Sequence, residues 1–373
     1  MKKVLFVATV VKLHIMVFHI PYLEWFKKNG YEVHVAARND YENTEECNVP
    51  YCDKFFDLPF ERSPLKKNNI YVYKELKNII CSNEYEIIHC HTPMGGALGR
   101  LAARKVRKKG TRVIYTAHGF HFFKGAPLIN WLVYYPVERW LARYTDVLVT
   151  INKEDYEIAS KFKANRIEYV AGVGINTDKF KNIEVNKMEK RQSLGVDEDD
   201  FMIISVGELN KNKNHQAIIR AIARINNQNI KYVLCGEGLL ETELRELADE
   251  LGLQDQVEFL GFRKDVPDLM KVADLFAFPS YREGLSLSLM EAMASGLPVV
   301  CSEIRGNTDL IEDGKGGYLS KPDNIDEISR GIKNIMSSNK IKSEFGLNNI
   351  NQIEDYSVDK VLKEYDLIYN WLK

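Results

Sequence analysis

The stretch Pro279–Val300, PSYREGLSLSLMEAMASGLPVV, constrains the fold of this chain more than any other. Ser280 to Glu283 is polar and leads into Gly284, a loop composition. From Ser286 onward, Leu287, Leu289, Met290, Ala292, Met293 and Ala294 leave almost no polar face. That spacing predicts a helix buried on most sides. Gly296 falls at its end, and Pro298 blocks continuation before an apolar strand. Two acids interrupt the pattern. Glu283 precedes the helix, where unbonded backbone N–H groups point outward. Glu291 sits among residues that belong out of water. A carboxylate there needs a donor or stays protonated. Either Glu291 pairs with a neighbouring Lys or backbone N–H and Glu283 is a solvated loop acid, or both meet a ligand. A ligand with diols and phosphates, such as a nucleotide sugar, would suit a helix N-terminus.

The rest of the chain repeats one grammar. Val4–Thr9 reads as a strand, Ile20–Asn29 as an amphipathic helix closed by Gly30, and Tyr31–Ala37 as the next strand. Phe55–Pro64 reads as a Pro-bounded loop. Helix and strand then alternate through Ile70–Asn83, Ile87–His91, Gly99–Lys109, Arg112–Thr116, Trp131–Tyr144 and Asp146–Thr150. The second half restarts at Phe201–Val206 and alternates through His215–Asn226, Lys231–Gly236, Glu241–Leu251, Val257–Leu260 and Leu275–Phe278. The last strong helix, Val358–Leu372, follows a charged segment. At 373 residues the chain is too long for one ordinary core. The pattern predicts an α/β protein of two doubly wound Rossmann-like domains facing a cleft, residues 1–172 and 173–356, with 357–373 returning to the first.

Net charge is −1, so no global field points to nucleic acid. Cys47, Cys52, Cys81, Cys90, Cys235 and Cys301 form no C-x-x-C pair, and the last four lie beside apolar residues. Reduced, buried thiols and a cytoplasmic protein are expected, with no metal. MKKVLFVATVV is too short an apolar run for a signal peptide and reads as a first strand. No run approaches a membrane span.

EGLSLSLMEAMASGLPVV closely resembles the E-x7-E donor-site signature of family 4 of the retaining GT-B glycosyltransferases. GVGINTDKF is similar to that family's interdomain crossing, with Ile175-Asn176 at the step that usually bears Asp. Length and motif order resemble the branch that builds bacterial capsular polysaccharide and other exopolysaccharides. The resemblance implies a GT-B fold and transfer of a hexosyl unit from a nucleotide sugar, UDP-linked, with retention. The acceptor it implies is a carbohydrate or a polyprenyl-linked oligosaccharide. It assigns Glu291 to the ribose hydroxyls and Glu283 to hydroxyls of the transferred sugar. Backbone N–H groups at Gly284, Leu285, Ser286 and Leu287 face phosphate or sugar. In SVGELNKNKN, Lys213 matches the phosphate lysine, and Glu208 stands where relatives carry Arg, with Lys211 as the compensating cation. Gly236 and Gly238 match a donor-side loop, where glycine lets backbone come close. Phe262 and Arg263 match the segment that meets the base, although Phe262 would equally suit a core.

In TAHGFHF, His118 follows a strand end, the usual site position in open α/β sheets. The resemblance places it, with Glu283, at the reacting centre; His121 is the second imidazole of that motif. His91, at another strand end, is a candidate for the acceptor side. Relatives carry paired glycines after the first strand; here Lys12 and His14 occupy that loop as candidates for phosphate or acceptor contact. No cofactor beyond the donor substrate is implied, because lysines and a helix N-terminus can neutralise the diphosphate. The helix holding Arg100, Arg104, Lys105, Arg107, Lys108 and Lys109 is basic, and Phe120–Trp140 is rich in aromatics. That pairing suits either an anionic bilayer surface or a solvated face over a packed core. A sugar-nucleotide 2-epimerase and a non-catalytic assembly partner are the rival readings of the same fold.

Overall fold

The computed structural model describes residues 2–372. The chain divides into two units. One runs to Gly174 and takes in the final segment from Val358; the other is Ile175–Ser357.

The first unit is built on a seven-stranded sheet. Its strands are β1 (Lys2–Val10), β2 (Tyr31–Arg38), β3 (Lys54–Asp57), β4 (Ile87–His91), β5 (Arg112–Ala117), β6 (Val147–Thr150) and β7 (Arg166–Tyr169). Their order is β3-β2-β1-β4-β5-β6-β7, and every pairing is parallel. Val4 to Val10 are all buried. This is why β1 reads as an unbroken apolar run: helices cover both faces of a parallel sheet. The order reverses between β1 and β4, which opens a switch point at their carboxyl ends. The helix Val358–Trp371 lies against this sheet. Tyr365 Oη is 2.9 Å from Thr116 Oγ1, and Tyr369 Oη is 3.1 Å from His89 Nδ1.

The second unit has six strands: β8 (Phe201–Val206), β9 (Ile230–Cys235), β10 (Val257–Phe259), β11 (Leu275–Phe278), β12 (Val299–Ser302) and β13 (Gly317–Ser320). The order is β10-β9-β8-β11-β12-β13, again parallel throughout. Its switch point lies between β8 and β11. Ser205 Oγ donates to Ala277 O at 2.6 Å there and ties the two strands together.

Several local expectations are corrected. Phe55–Pro64 is not all loop, because Lys54–Asp57 pairs with β2 as an edge strand. It is short and half-exposed, so it lacks the apolar run of its neighbours. The charged segment before the last helix contains β13 and two helices, Ile325–Met336 and Asn339–Ile353. In the first of these, Ile328, Ile332 and Ile335 form a narrow buried stripe between charges. The helix expected from Gly99 begins at Pro93, capped by Thr92, whose Oγ1 accepts from Gly95 N at 3.3 Å. Arg100 on that helix is fully buried, not part of a basic surface. It donates to Gly96 O at 2.8 Å and to Glu138 at 2.8 Å, and its guanidinium lies 3.8 Å from the Tyr115 ring centroid. Arg107 is tied to Asp146. Cys81 is exposed, whereas Cys90, Cys235 and Cys301 are buried. No helix among the described residues is long and apolar enough to cross a membrane.

Candidate active site

Two loops meet at the switch point of the second unit. The loop after β8 carries Lys213 and the loop after β11 carries Glu283. Lys213 Nζ donates to Glu283 Oε1 at 2.8 Å, and both side chains are largely buried. The Phe278 ring centroid is 4.8 Å from the same ammonium, so one aromatic wall shields the pair. Asn212 Nδ2 donates to Arg282 O at 3.0 Å and Tyr281 N to Asn212 O at 2.8 Å, fixing the loops side by side.

Behind Glu283 stands a residue that carried no functional signal in the sequence. Arg305 is buried, and its Nε donates to Glu283 O at 3.1 Å. Gly306 follows at φ 82°, where an added Cβ would lie 2.2 Å from Gly284 O. The tight contact accounts for a glycine at that position.

The helix predicted from Ser286 spans Leu287–Ala294. Ser286 is its N-cap, with Oγ accepting from Leu289 N at 3.4 Å. Glu291 lies on this helix, partly buried, with Leu289, Met290, Ala292 and Met293 fully buried beside it. Burial pushes its carboxyl up to about 7, against the opposing pull of Lys179. Lysine pairing of the kind that would make Glu291 an ordinary ionised acid is therefore outweighed by desolvation.

The other donor-side candidates fall as follows. Gly236 has φ 149°, and a Cβ there would meet Gly207 O at 2.0 Å. The close approach that requires glycine is thus to the neighbouring loop. Phe262 is 71% exposed, so its core reading is set aside. Arg263 forms a bidentate pair with Asp265 at 2.7 and 2.6 Å. Lys211 is exposed and lines a depression with Arg220 and Glu243, apart from the Lys213–Glu283 pair. Glu208 is exposed too.

In the first unit the switch point gathers imidazoles. His14 follows β1 in a turn over Val11–Ile15, His91 ends β4, and His118 follows β5. His19, five residues after His14 and without a functional signal in the sequence, joins them. His14 Nε2 is 3.1 Å from His19 Nε2, and His118 Nε2 is 3.4 Å from His91 Nδ1. Burial pushes His118 down to about 4 and keeps His14, His19 and His91 well below the ordinary histidine value. All four are neutral at pH 7. Lys12 is exposed, and its backbone N–H donates to Asp40 at 2.6 Å. His121 is not one of the four; it stacks on Tyr134 at 4.7 Å and shares a cavity with His14. It lines a cavity of about 510 Å³ with mostly apolar walls, including Leu13, Met94, Phe122 and Val133, and with Arg62 and Glu138 as charged members.

Comparison with known proteins decides the family. The family model "Glycosyl transferase 4-like" matches residues 3–152 and "Glycosyl transferases group 1" matches residues 186–352. Over 374 residues the chain is 40% identical to the putative glycosyltransferase EpsD of Bacillus subtilis, covering 99% of this chain and 96% of that protein. The chain belongs to the group 1, 4-like glycosyltransferases. This glycosyltransferase is also 30% identical to the Escherichia coli UDP-Gal:alpha-D-GlcNAc-diphosphoundecaprenol alpha-1,3-galactosyltransferase, over 81% of this chain and 84% of that enzyme. In fold it is similar to the crystal structure of Anabaena HepE in complex with UDP and glucose, with TM-score 0.83, 20% identity, and coverage of 99% and 100%. Its two parallel sheets are thus those of the GT-B glycosyltransferases.

Proposed function

We propose that this glycosyltransferase moves a hexosyl unit from a UDP-sugar to a carbohydrate or lipid-linked oligosaccharide, with retention, in exopolysaccharide synthesis. One observation carries the reading: Lys213 and Glu283 are paired at 2.8 Å across the switch point of the second sheet, beside the capped helix that holds Glu291. A lysine there can neutralise a departing diphosphate. The backbone amides at Leu285, Ser286 and Leu287, which lead into the helix, offer donors to phosphate or sugar. Glu291 meets ribose hydroxyls, and Glu283 meets the sugar once the diphosphate competes for Lys213. His118, neutral at pH 7, hydrogen-bonds a substrate hydroxyl and does not act as a cation. Positioning and charge stabilisation then supply the catalysis: the anomeric bond to the diphosphate breaks, the acceptor oxygen bonds to the same face of that carbon, and its proton passes to the leaving phosphate, with no glycosyl-enzyme intermediate. The names of the relatives support the donor and acceptor classes: one is a UDP-galactose enzyme with a diphosphoundecaprenol-linked acceptor, and EpsD is a putative glycosyltransferase.

The test is incubation with UDP- and GDP-sugars, with and without a polyprenyl-diphosphate-linked sugar, read by mass spectrometry. The expected result is acceptor-dependent gain of one hexosyl mass with UDP release, and a product anomeric configuration by NMR that matches the donor. An epimerised sugar released without acceptor would make the protein an isomerase. No turnover and no donor binding across the panel would leave it an assembly partner.

A membrane contact accompanies this reading. Leu128, Ile129 and Leu132 on the helix Leu128–Leu141 are 73%, 61% and 65% exposed. The neighbouring helix, joined to it through Arg100–Glu138, exposes Arg104 and Lys105, with Lys108 and Lys109 just beyond its end. Exposed apolar residues on one helix and cations toward the far end of its neighbour are the ingredients of binding to an anionic bilayer. Co-sedimentation with vesicles containing phosphatidylglycerol is expected, and Leu132→Glu should lower the bound fraction at least threefold. Equal binding to neutral vesicles, or an unaffected variant, would exclude this surface.

A further inference from the structure

Sugar transfer as proposed engages His118 and leaves three buried histidines beside it, His14, His19 and His91, without a task. His14, His19, His91 and His118 each offer one ring nitrogen, and these four atoms lie within 4.8 Å of one another. They arrive from separate segments: the turn after β1, the start of the following helix, the end of β4 and the loop after β5. Packing imidazoles this closely needs a reason, since each buried ring nitrogen requires a partner. His19 Nδ1 and His91 Nε2 have none among the described residues. Their other nitrogens, His19 Nε2 and His91 Nδ1, are the ones that face His14 and His118.

We propose that His14, His19, His91 and His118 bind one divalent transition-metal ion of the zinc class. The separations fit. Zinc–nitrogen bonds of about 2.0–2.1 Å in a tetrahedron place neighbouring nitrogens about 3.3 Å apart. His14 and His19 approach at 3.1 Å, and His91 and His118 at 3.4 Å. The remaining distances, all within 4.8 Å, close by small ring rotations. The ligand chemistry fits as well. All four rings are held neutral by burial, and neutral imidazole is the ligating form. The cluster contains no carboxylate, which disfavours magnesium and calcium and favours zinc, copper or nickel. Phe6, stacked parallel to His91, and Phe18, edge-on to His14, supply an apolar surround.

Four protein ligands make a closed site of the structural kind. The ion would cross-link the carboxyl ends of β1, β4 and β5 and hold His118 by Nε2 while bound. Ligation through Nε2 leaves His118 Nδ1–H for the substrate hydroxyl, and the site is read out by metal content and thermal stability.

The experiment uses the full chain without a polyhistidine tag, stripped with chelator and titrated with Zn²⁺ or Co²⁺. One equivalent of zinc per chain after gel filtration is expected, with a raised Tm. The cobalt form should show visible bands of tetrahedral intensity and no sulfur-to-cobalt charge-transfer band. His19→Ala should lose at least about tenfold in metal affinity. His14→Gln, nearer the surface, serves as the second variant if His19→Ala does not fold. Substoichiometric zinc in the wild type, full stoichiometry in the folded variants, or a thiolate band assigning the ion to cysteine would each overturn the site.

Discussion

Lys213→Ala is expected to lower kcat/KM with the preferred UDP-sugar by about 10²–10³-fold, in the range found for removing one preorganised donor from a developing negative charge. Two effects add. The ammonium proposed to face the diphosphate is lost, and Glu283, its partner at 2.8 Å, is left unpaired in a largely buried position. At an effective dielectric near 20, unit charges about 4 Å apart interact by about 4 kcal/mol, so an uncompensated Glu283 turns an attractive wall into a repulsive one. Donor binding should therefore weaken along with kcat, measurable by calorimetry with the intact UDP-sugar. Glu283→Gln combined with Lys213→Ala separates the two: it should recover part of the lost donor affinity while kcat stays low. Lys211→Ala is the internal control. That residue is exposed and lines a different depression, so its effect should stay within about threefold. Equal losses for Lys211→Ala and Lys213→Ala would mean that no specific phosphate lysine exists.

The parts of this site that were legible in the sequence are those written in one short segment. Ser286 to Val300 declares its helix, cap and strand by local pattern, and the structure places the helix at Leu287–Ala294 with Ser286 as its cap. The parallel sheets were legible for the same reason, since buried strands such as β1 are unbroken apolar runs. What could not be read depends on residues distant in sequence. Arg305 supports Glu283 through a backbone carbonyl 22 residues away, a contact with no periodic signature. His19 joins His14, His91 and His118 only because β1, β4 and β5 lie side by side. Its trace was present as a second histidine in VVKLHIMVFHI, five residues after the first. Arg100 looked like one of six cations on a basic helix and is instead the buried partner of Glu138. Side-chain type alone does not say which face of a helix is inward when glycines and alanines share it. Gly236 resembles a ligand-facing glycine in sequence, yet it is Gly207 O at 2.0 Å from its missing Cβ that forbids a side chain.

Binding of the UDP-sugar should tighten about tenfold between pH 6 and pH 8, and Glu291→Gln should abolish that dependence. The carboxyl of Glu291 sits at about 7 in the free protein because burial penalises its ionised form. In the proposed contact ribose hydroxyls donate to the ionised form, so a bound nucleoside lowers the value and binding releases a proton near neutrality. The sign follows: below the free-state value the proton must first be removed, and affinity falls by up to tenfold per pH unit. The donor itself adds nothing in this window, since a diphosphate diester has no group titrating there. Burial holds the histidines His89, His118 and His215 at about 3, 4 and 4, below the window. Calorimetry in buffers of different ionisation enthalpy should register about half a proton released per UDP-sugar at pH 7. The unliganded protein carries the converse signature. A folded-state value raised above the unfolded one makes stability fall as pH rises from about 4.5 towards 7, and Glu291→Gln should flatten that slope. At pH 8 the variant should bind about 10–100-fold more weakly, the worth of hydrogen bonds to a charged acceptor. Wild-type affinity that is flat from pH 6 to pH 8, or that rises toward pH 6, would remove Glu291 from the nucleotide and return it to the role of a buried structural acid.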